Sequence, residues 1–258
     1  DMVITISHLG YIKRTPLADF RQQGRGGVGA KASAARDEDF IEYVHQANMH
    51  STMMFFTEQG RLYWTKVYEL PEGNRQSKGR ALQNMINIQK GDKVCAFIHV
   101  KNLSDMEYVQ NHYLIFATKN GLMKKTTLEA YSRPRTNGII ALGLREDDRL
   151  IRVTLTDGNS QMLVASYNGK VVRFPEDTVR PMGRTATGVR AIKLDEDGKD
   201  RVIGMICVEE GSKESVLVIS EKGFGKRTDL DDENGEPIYR VTNRGGKGVK
   251  TMNLTDKT

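Results

Sequence analysis

A glycine-centred turn recurs five times along the 258-residue chain and restricts the folds that the sequence can adopt. In each copy, a β-prone apolar run is followed by a short polar turn with glycine, then by two or three apolar residues and a cation. Such runs around a polar-glycine turn are typical of β-hairpins. The turn glycines are Gly10, Gly60, Gly121, Gly169 and Gly223, separated by 50, 61, 48 and 54 residues.

A second glycine follows each turn glycine at a nearly fixed distance. These residues are Gly29, Gly79, Gly138, Gly188 and Gly248, at 19, 19, 17, 19 and 25 residues after the turn. Another strand-like run, an acidic turn and a fourth apolar run come next, and four strands per repeat predict an all-β, propeller-like array. We expect a single domain with five visible blades, the last incomplete, and approximate repeats 1–47, 48–101, 102–157, 158–210 and 211–258.

Charge is distributed regularly over the repeats. The formal net charge is +6, which favours polyanionic partners. Cations follow the first turn and often the second glycine, whereas acids gather in other hairpins, such as residues 195–197. If the repeats stack around an axis, these cations form a discontinuous basic rim suited to bending a polyanion; a solvated surface of scattered charge is the alternative. The candidate phosphate contacts are Lys13, Arg14, Arg25, Lys31, Lys66, Arg80, Lys124, Lys125, Arg173, Arg190, Lys226, Arg227 and Lys247.

Other functional classes find little support in the sequence. No run of 18 apolar residues suggests a membrane span. Cys95 and Cys207 lie in apolar runs, which fits reduced thiols in a cytosolic protein better than a disulfide or a zinc site. The five histidines show no metal-ligand spacing, and no acid–base pair or nucleophile stands out, so we expect no active site. Residues 1–6 resemble the inside of a strand without a leader, which indicates a fragment of a longer protein.

The densest glycine cluster, here called the box, consists of Gln23, Gly24, Arg25, Gly26, Gly27, Val28 and Gly29. It matches the dinucleotide fingerprint G-x-G-x-x-G formally, but that fingerprint needs a buried strand before it and a helix after it, whereas a polar segment precedes the box. A P-loop is excluded because Ala30 stands where the lysine should be. The box is either only a tight turn between repeats or a loop that also contacts phosphate or clasps neighbouring blades.

The repeat, the box and the dispersed cations together resemble the C-terminal DNA-wrapping domain of the bacterial DNA gyrase A subunit. This resemblance covers essentially the whole chain. The box of that family reads Q-R-R-G-G-K-G, and here Gly24 and Val28 replace its first arginine and its lysine. A second copy at residues 244–248 retains the lysine, Lys247.

The resemblance implies a β-pinwheel, a propeller-like disc whose blades exchange strands, usually with six blades in the intact domain. It also implies that the domain wraps double-stranded DNA around its basic rim to enable ATP-dependent negative supercoiling, without catalysis or a cofactor of its own. ATP and Mg²⁺ would serve the holoenzyme. The implied protein partners are the rest of the A subunit, as a homodimer, and the B subunit in an A2B2 complex, in the bacterial cytoplasm at the nucleoid and away from membranes.

Two other interpretations remain open from the sequence. The C-terminal domain of topoisomerase IV shares the repeat, but its box is typically degenerate or absent. A protein-interaction propeller would use the basic rim for an acidic protein, although such an interface more often concentrates aromatic anchors on one patch. A propeller enzyme ranks last because no polar catalytic cluster is evident.

Overall fold

The computed structural model describes residues 1–20, 25–26 and 39–255. Within these residues the chain forms eighteen strands and one short α-helix, α1 (Met106–Asn111), with 3-10 turns after several strands. The strands are β1 (Met2–Ser7), β2 (Tyr11–Pro16), β3 (Ile41–Ala47), β4 (Thr52–Thr57), β5 (Arg61–Lys66), β6 (Arg80–Ala81), β7 (Val94–Val100), β8 (Tyr113–Thr118), β9 (Leu122–Thr127), β10 (Ile139–Ile140), β11 (Leu150–Thr156), β12 (Ser160–Ser166), β13 (Lys170–Pro175), β14 (Val189–Arg190), β15 (Val202–Glu209), β16 (Ser215–Ile219), β17 (Gly225–Asp229) and β18 (Val249–Lys250).

The strands form four four-stranded sheets and one two-stranded sheet. Their orders are β3-β1-β2-β6, β10-β5-β4-β7, β11-β8-β9-β14, β15-β12-β13-β18 and β16-β17. In every four-stranded sheet one outer strand comes from the following repeat: β6, β10, β14 and β18 each join the sheet before their own. This exchange of strands confirms the predicted all-β pinwheel. In the fifth repeat the described residues form only the β16–β17 hairpin as a sheet, as expected for an incomplete blade.

The turn glycines close the hairpins as the sequence predicts. Gly10 and Gly121 have φ angles of +83° and +85°, a region that side chains with a Cβ atom rarely occupy. The strands before these two turns, β1 and β8, are almost entirely buried on both faces, whereas β16, before Gly223, is partly exposed. Burial on both faces explains why these strands are continuously apolar rather than alternating.

The second glycines have a different role, because they allow one backbone to approach another. A Cβ atom on Gly188 would lie 2.3 Å from the carbonyl oxygen of Met123, and one on Gly79 would lie 2.4 Å from that of Ile12. Gly138 and Gly248 approach the second strand of the preceding repeat in the same way. Glycine is therefore required wherever a loop packs onto the neighbouring blade.

The residues group into two compact units. The first comprises residues 1–57, 61–105 and 133–139, and its core contains Ile4, Phe55 and Tyr63. The second comprises residues 58–60, 106–132 and 140–258, and its core contains Met162 and Phe174. None of the helices in the described ranges has the length and hydrophobicity needed to cross a membrane.

Candidate nucleic-acid interface

Each of the four second glycines that the structure describes ends a loop that carries an arginine. We call residues 72–79, 133–138, 182–188 and 242–248 the box loops, because they precede Gly79, Gly138, Gly188 and Gly248 as the box precedes Gly29. The candidate phosphate contacts from the sequence omit the arginines of these loops, although alignment of the repeats on the second glycine places them four residues before it, or three in the third repeat. These arginines are Arg75, Arg135, Arg184 and Arg244.

In the first unit, cations from two consecutive repeats line one cleft. Arg80 lies on the exchanged strand β6 and Arg135 on the next box loop, and both side chains are exposed. Together with Tyr63 and Trp64 they line a cleft of about 590 Å³. Two guanidinium groups in one open cleft form a suitable environment for phosphate.

In the second unit, two box-loop arginines contact the backbone of the exchanged strand before them. The Arg184 guanidinium donates from Nη1 to the carbonyl oxygen of Ile140 on β10, over 3.1 Å. Arg244 donates from Nη1 to the carbonyl oxygen of Arg190 on β14, over 2.8 Å. The box-loop arginine of one repeat thus lies beside the exchanged strand of the repeat before it. Lys247, at the end of the last box loop, is exposed.

The predicted phosphate contacts fall into several environments. Arg14 is largely buried and pairs with Glu72 over 2.6 Å, while Lys66 is half-buried and donates to the carbonyl oxygen of His50. Lys31 and the box residues Gln23, Gly24, Gly27, Val28 and Gly29 lie outside the described residues. Gly26 is exposed. The predicted contacts with exposed side chains are Arg25, Arg80, Arg190, Lys226, Arg227 and Lys247.

The surface position predicted for four other cations is wrong. Lys13, Lys124, Lys125 and Arg173 are all buried, with at most 4% of each residue exposed. Lys13 donates from Nζ to the carbonyl oxygens of Asn74, over 2.7 Å, and Ser77, over 2.9 Å. Burial lowers the pKa of the Lys13 ammonium group.

Lys124 is the most enclosed of these cations. Its Nζ donates to the Tyr131 hydroxyl over 3.0 Å and to the carbonyl oxygens of Ala141 and Arg184. The ammonium group also lies 4.7 Å from the centre of the Phe116 ring. Burial, and then the charge of Arg184, lower the pKa of Lys124 to about 7. Burial also raises the pKa of the Tyr131 hydroxyl, which keeps it protonated as a donor to Ala141.

Lys125 and Arg173 bind partners that are themselves largely buried. Lys125 pairs with Glu176 over 2.9 Å, and the Glu176 side chain is fully buried. Arg173 donates from Nε to Gln161 over 2.7 Å and from Nη1 to the carbonyl oxygen of Tyr239 over 3.3 Å. Moving either cation to a phosphate would leave a buried polar group unpaired, at a cost of several kcal/mol for Glu176. In this conformation neither side chain can contact DNA.

The acidic hairpin at residues 195–197 makes contacts within its own repeat. The Asn168 amide donates to Asp195 and Asp197, and Lys170 pairs with Asp195. Hydrogen bonds from Asn168, and then from backbone amides, lower the pKa of Asp197 to about 2. Among the described residues, no group of three or more His, Cys, Asp or Glu could hold a metal ion.

Comparison with known proteins decides the family. Residues 1–48, 51–101, 112–157, 161–209 and 214–257 match the family model described as "DNA gyrase C-terminal domain, beta-propeller". The chain belongs to this family. It is 43% identical over 256 residues to the DNA gyrase A subunit of Staphylococcus aureus strain NCTC 8325 / PS 47, and the match covers 99% of this chain and 28% of that protein. The gyrase C-terminal domain family is the one that the box and the repeat predicted.

Solved structures agree with this assignment. The crystal structure of the C-terminal domain of DNA topoisomerase IV has a TM-score of 0.76 at 26% identity, covering 96% of this chain and 72% of that chain. The structure of the DNA gyrase A C-terminal domain has a TM-score of 0.72 at 22% identity, covering 96% and 76%. The second comparison shows the fold alone. The 43% identity to the S. aureus gyrase protein exceeds the 26% identity to the topoisomerase IV domain, which favours gyrase over topoisomerase IV.

Proposed function

We propose that this gyrase-family domain binds duplex DNA along its exposed cations and wraps it, without catalysing a reaction itself. The observation that carries the proposal is the repeated pairing of an exchanged strand with the next box loop, Arg80 with Arg135 and Arg190 with Arg244. Arginine recognises phosphate with parallel hydrogen bonds. A cation set that recurs from blade to blade can follow a continuous phosphate backbone.

The proposed contacts read the backbone rather than the bases. The exposed groups are guanidinium and ammonium groups on short loops and strand ends, and in the described ranges no long helix is present to enter a major groove. Contacts with phosphates position DNA without reading its sequence. Bending a 20–30 bp site by 40–90° costs about 1–6 kcal/mol, so several such contacts are needed to hold a wrapped segment.

The wider assembly is part of this proposal. The chain spans about a quarter of the length of the gyrase proteins it matches. Strand cleavage, ATP hydrolysis and Mg²⁺ binding then reside in the rest of the A subunit and in the B subunit of an A2B2 complex at the bacterial nucleoid. The domain supplies the wrapped DNA and holds no cofactor.

A salt titration of binding to a linear duplex long enough to wrap tests the proposal. The logarithm of the association constant should fall linearly with the logarithm of the salt concentration, by about 0.9 per phosphate neutralised. Arg190→Gln should reduce this slope by about 0.9 and weaken binding to all sequences alike. The control is Lys213→Gln, an exposed cation between the acidic residues Glu210 and Glu214, which should bind like the wild type.

Wrapping itself is measured by relaxing and religating a nicked plasmid with the domain bound. A change in linking number demonstrates wrapping with a fixed hand. Salt-sensitive binding without this change would reduce the proposal to DNA bending. If the wild-type domain does not bind DNA at all, the proposal fails and a protein partner for the cations becomes the better interpretation.

A further inference from the structure

Two sheets place a buried lysine at the same position. Lys13 and Lys124 each lie three residues after the turn glycine, on β2 and β9, and each is at most 1% exposed. The other repeats have Tyr63, Val172 and the exposed Lys226 at this position. Since a blade can form with tyrosine or valine there, a buried ammonium group is not a general requirement of the fold.

The Lys13 ammonium group binds carbonyl oxygens on both sides of Arg75. Its two acceptors, Asn74 and Ser77, bracket the apex of the box loop. The Asn74 side chain also accepts the backbone N–H groups of Gln76 and Ser77, each over 2.9 Å. The loop is therefore closed on itself and tied to the preceding blade through this charged group, in addition to the hydrogen bonds of Gly73 with Arg14 and Thr15 and the Arg14–Glu72 ion pair. Hydrogen bonds from a charged donor are about twice as strong as neutral ones.

Lys124 binds the carbonyl oxygen of the arginine itself. Its ammonium group donates to Arg184 in the next box loop and to Ala141, which also accepts from Tyr131 over 2.7 Å. The loop has a second tie, from the Met182 N–H to the carbonyl oxygen of Lys125 over 2.8 Å. These contacts hold the backbone at Arg184 in place, while the Arg184 side chain stays partly exposed to solvent.

The remaining described box loops are attached differently. In the third repeat, Arg61 donates from Nη2 to the carbonyl oxygen of Asn137 over 3.0 Å, and from Nε to the Tyr63 hydroxyl. In the fifth repeat, the Arg244 side chain binds the carbonyl oxygen of Arg190, as Arg184 binds that of Ile140, but Val172 offers no polar group in place of the lysine. Only the loops of Arg75 and Arg184, among those described, have their backbone held by a buried lysine.

We propose that Lys13 and Lys124 are positioning residues for DNA binding: the hydrogen bonds from each buried Nζ order the next box loop and so hold Arg75 or Arg184 in place for a phosphate, without contact between the lysine and DNA. This inference rests on the function proposed above. Its physical basis is preorganisation, because a loop that is already ordered loses less conformational entropy when it binds. Sequence position alone had suggested direct phosphate contact for the same two lysines.

A double-mutant cycle separates positioning from direct contact. The variants are Lys124→Met, Arg184→Gln and the double mutant, measured by salt titration on a linear duplex at a temperature well below melting. Each single variant should weaken binding about fivefold and lower the salt slope by about 0.9, and the double mutant should bind no worse than Arg184→Gln. If the losses of affinity add up in the double mutant, and its salt slope falls by the amount expected for two phosphate contacts, then Lys124 contacts DNA directly. That result would overturn the inference.

Backbone amide hydrogen exchange provides a readout that does not need DNA. In Lys124→Met the amides of residues 182–188 should exchange faster, while those of the box loop at residues 72–79, which Lys13 holds in the first unit, should not change. Unchanged exchange at residues 182–188 would overturn the inference. The inference would also be overturned if Lys124→Met had a lower melting temperature but bound DNA with the affinity and salt slope of the wild type. The lysine would then contribute to stability alone.

The same cycle on Lys13→Met and Arg75→Gln decides the matter if Lys124→Met fails to fold. Lys13 and Arg75 lie in the first unit, so this cycle uses a lysine and a box loop that are separate from Lys124 and its loop. A wild-type domain that does not bind DNA would refute the proposed function, a result distinct from the outcomes above. The exchange experiment would even then show whether the lysines order their loops.

Discussion

Cations of the second strands β2, β9 and β13 and cations of the exchanged strands recur with similar regularity in the sequence, yet they lie in opposite environments. Lys124 is fully buried among two carbonyl oxygens and a hydroxyl, whereas Arg190 is exposed beside the next box loop. The difference comes from what the following repeat places over each position. Regular spacing of charge therefore predicts equivalent positions in a repeat protein, but not which of those positions face solvent.

The largest effect should come from filling the contact between a second glycine and its neighbouring blade. In Gly188→Ala, the new Cβ atom meets the backbone of Met123 at 2.3 Å, and φ is +103°. Backbone strain and overpacking together should lower the free energy of unfolding by about 3 to 4 kcal/mol in chemical denaturation.

Gly198→Ala separates the two contributions to that loss. Gly198 has φ of +72°, but an added Cβ atom would meet no atom within 4 Å, so only the cost of the backbone conformation, about 1 kcal/mol, should appear. Equal losses in Gly188→Ala and Gly198→Ala would show that blade packing does not depend on the close approach.

Removing the buried Lys124 side chain should have the next largest effect on stability. Lys124→Met leaves the Arg184 carbonyl oxygen without its buried donor, while Tyr131 still serves Ala141. We expect the free energy of unfolding to fall by about 2 to 3 kcal/mol at pH 9. The matched variant at an exposed position, Lys247→Met, should change it by less than about 0.5 kcal/mol. A similar loss in both variants would contradict the assignment of the two environments.

The stability of the wild-type domain should rise with pH because of Lys124. Its pKa is about 7 in the folded chain against 10.5 for the unperturbed group, so the unfolded chain binds more protons between these values. From pH 7 to pH 9 this group should raise the free energy of unfolding by about 2 kcal/mol, at 1.36 kcal/mol per unit of pKa difference. Denaturation of wild type and Lys124→Met across this range measures it; parallel curves would refute the low pKa of Lys124.

The smallest change in stability is expected for Arg190→Gln, a variant that should nevertheless lose affinity for DNA. Arg190→Gln removes an exposed side chain, while the backbone carbonyl that accepts from Arg244 remains. The free energy of unfolding should change by less than about 0.5 kcal/mol while DNA affinity falls. Thermal melting and a binding titration on the same sample check both quantities. If Arg190→Gln were as destabilising as Lys124→Met, the distinction between interior and surface cations would not hold.

Much of the fold could be predicted because its signals are local. Gly10 and Gly121 lie where a hairpin needs a positive φ angle, and the apolar runs beside them form the buried strands. The spacing of the repeats locates the second glycines in the sequence. It does not reveal why glycine is required at those positions. The contact that requires Gly188 is with the backbone of Met123, 65 residues earlier in the chain.

The sequence by itself determined the repeat, the all-β class, the family and the candidate cations, since turn chemistry and strand propensity act over a few residues. Only the tertiary structure decided which repeat supplies the outer strand of each sheet and which cations are buried. Lys13 finds its acceptors at Asn74 and Ser77, more than sixty residues away in the next repeat. A charged side chain is stable in the interior only where such distant carbonyl oxygens converge on it, and that convergence is a property of the packed blades.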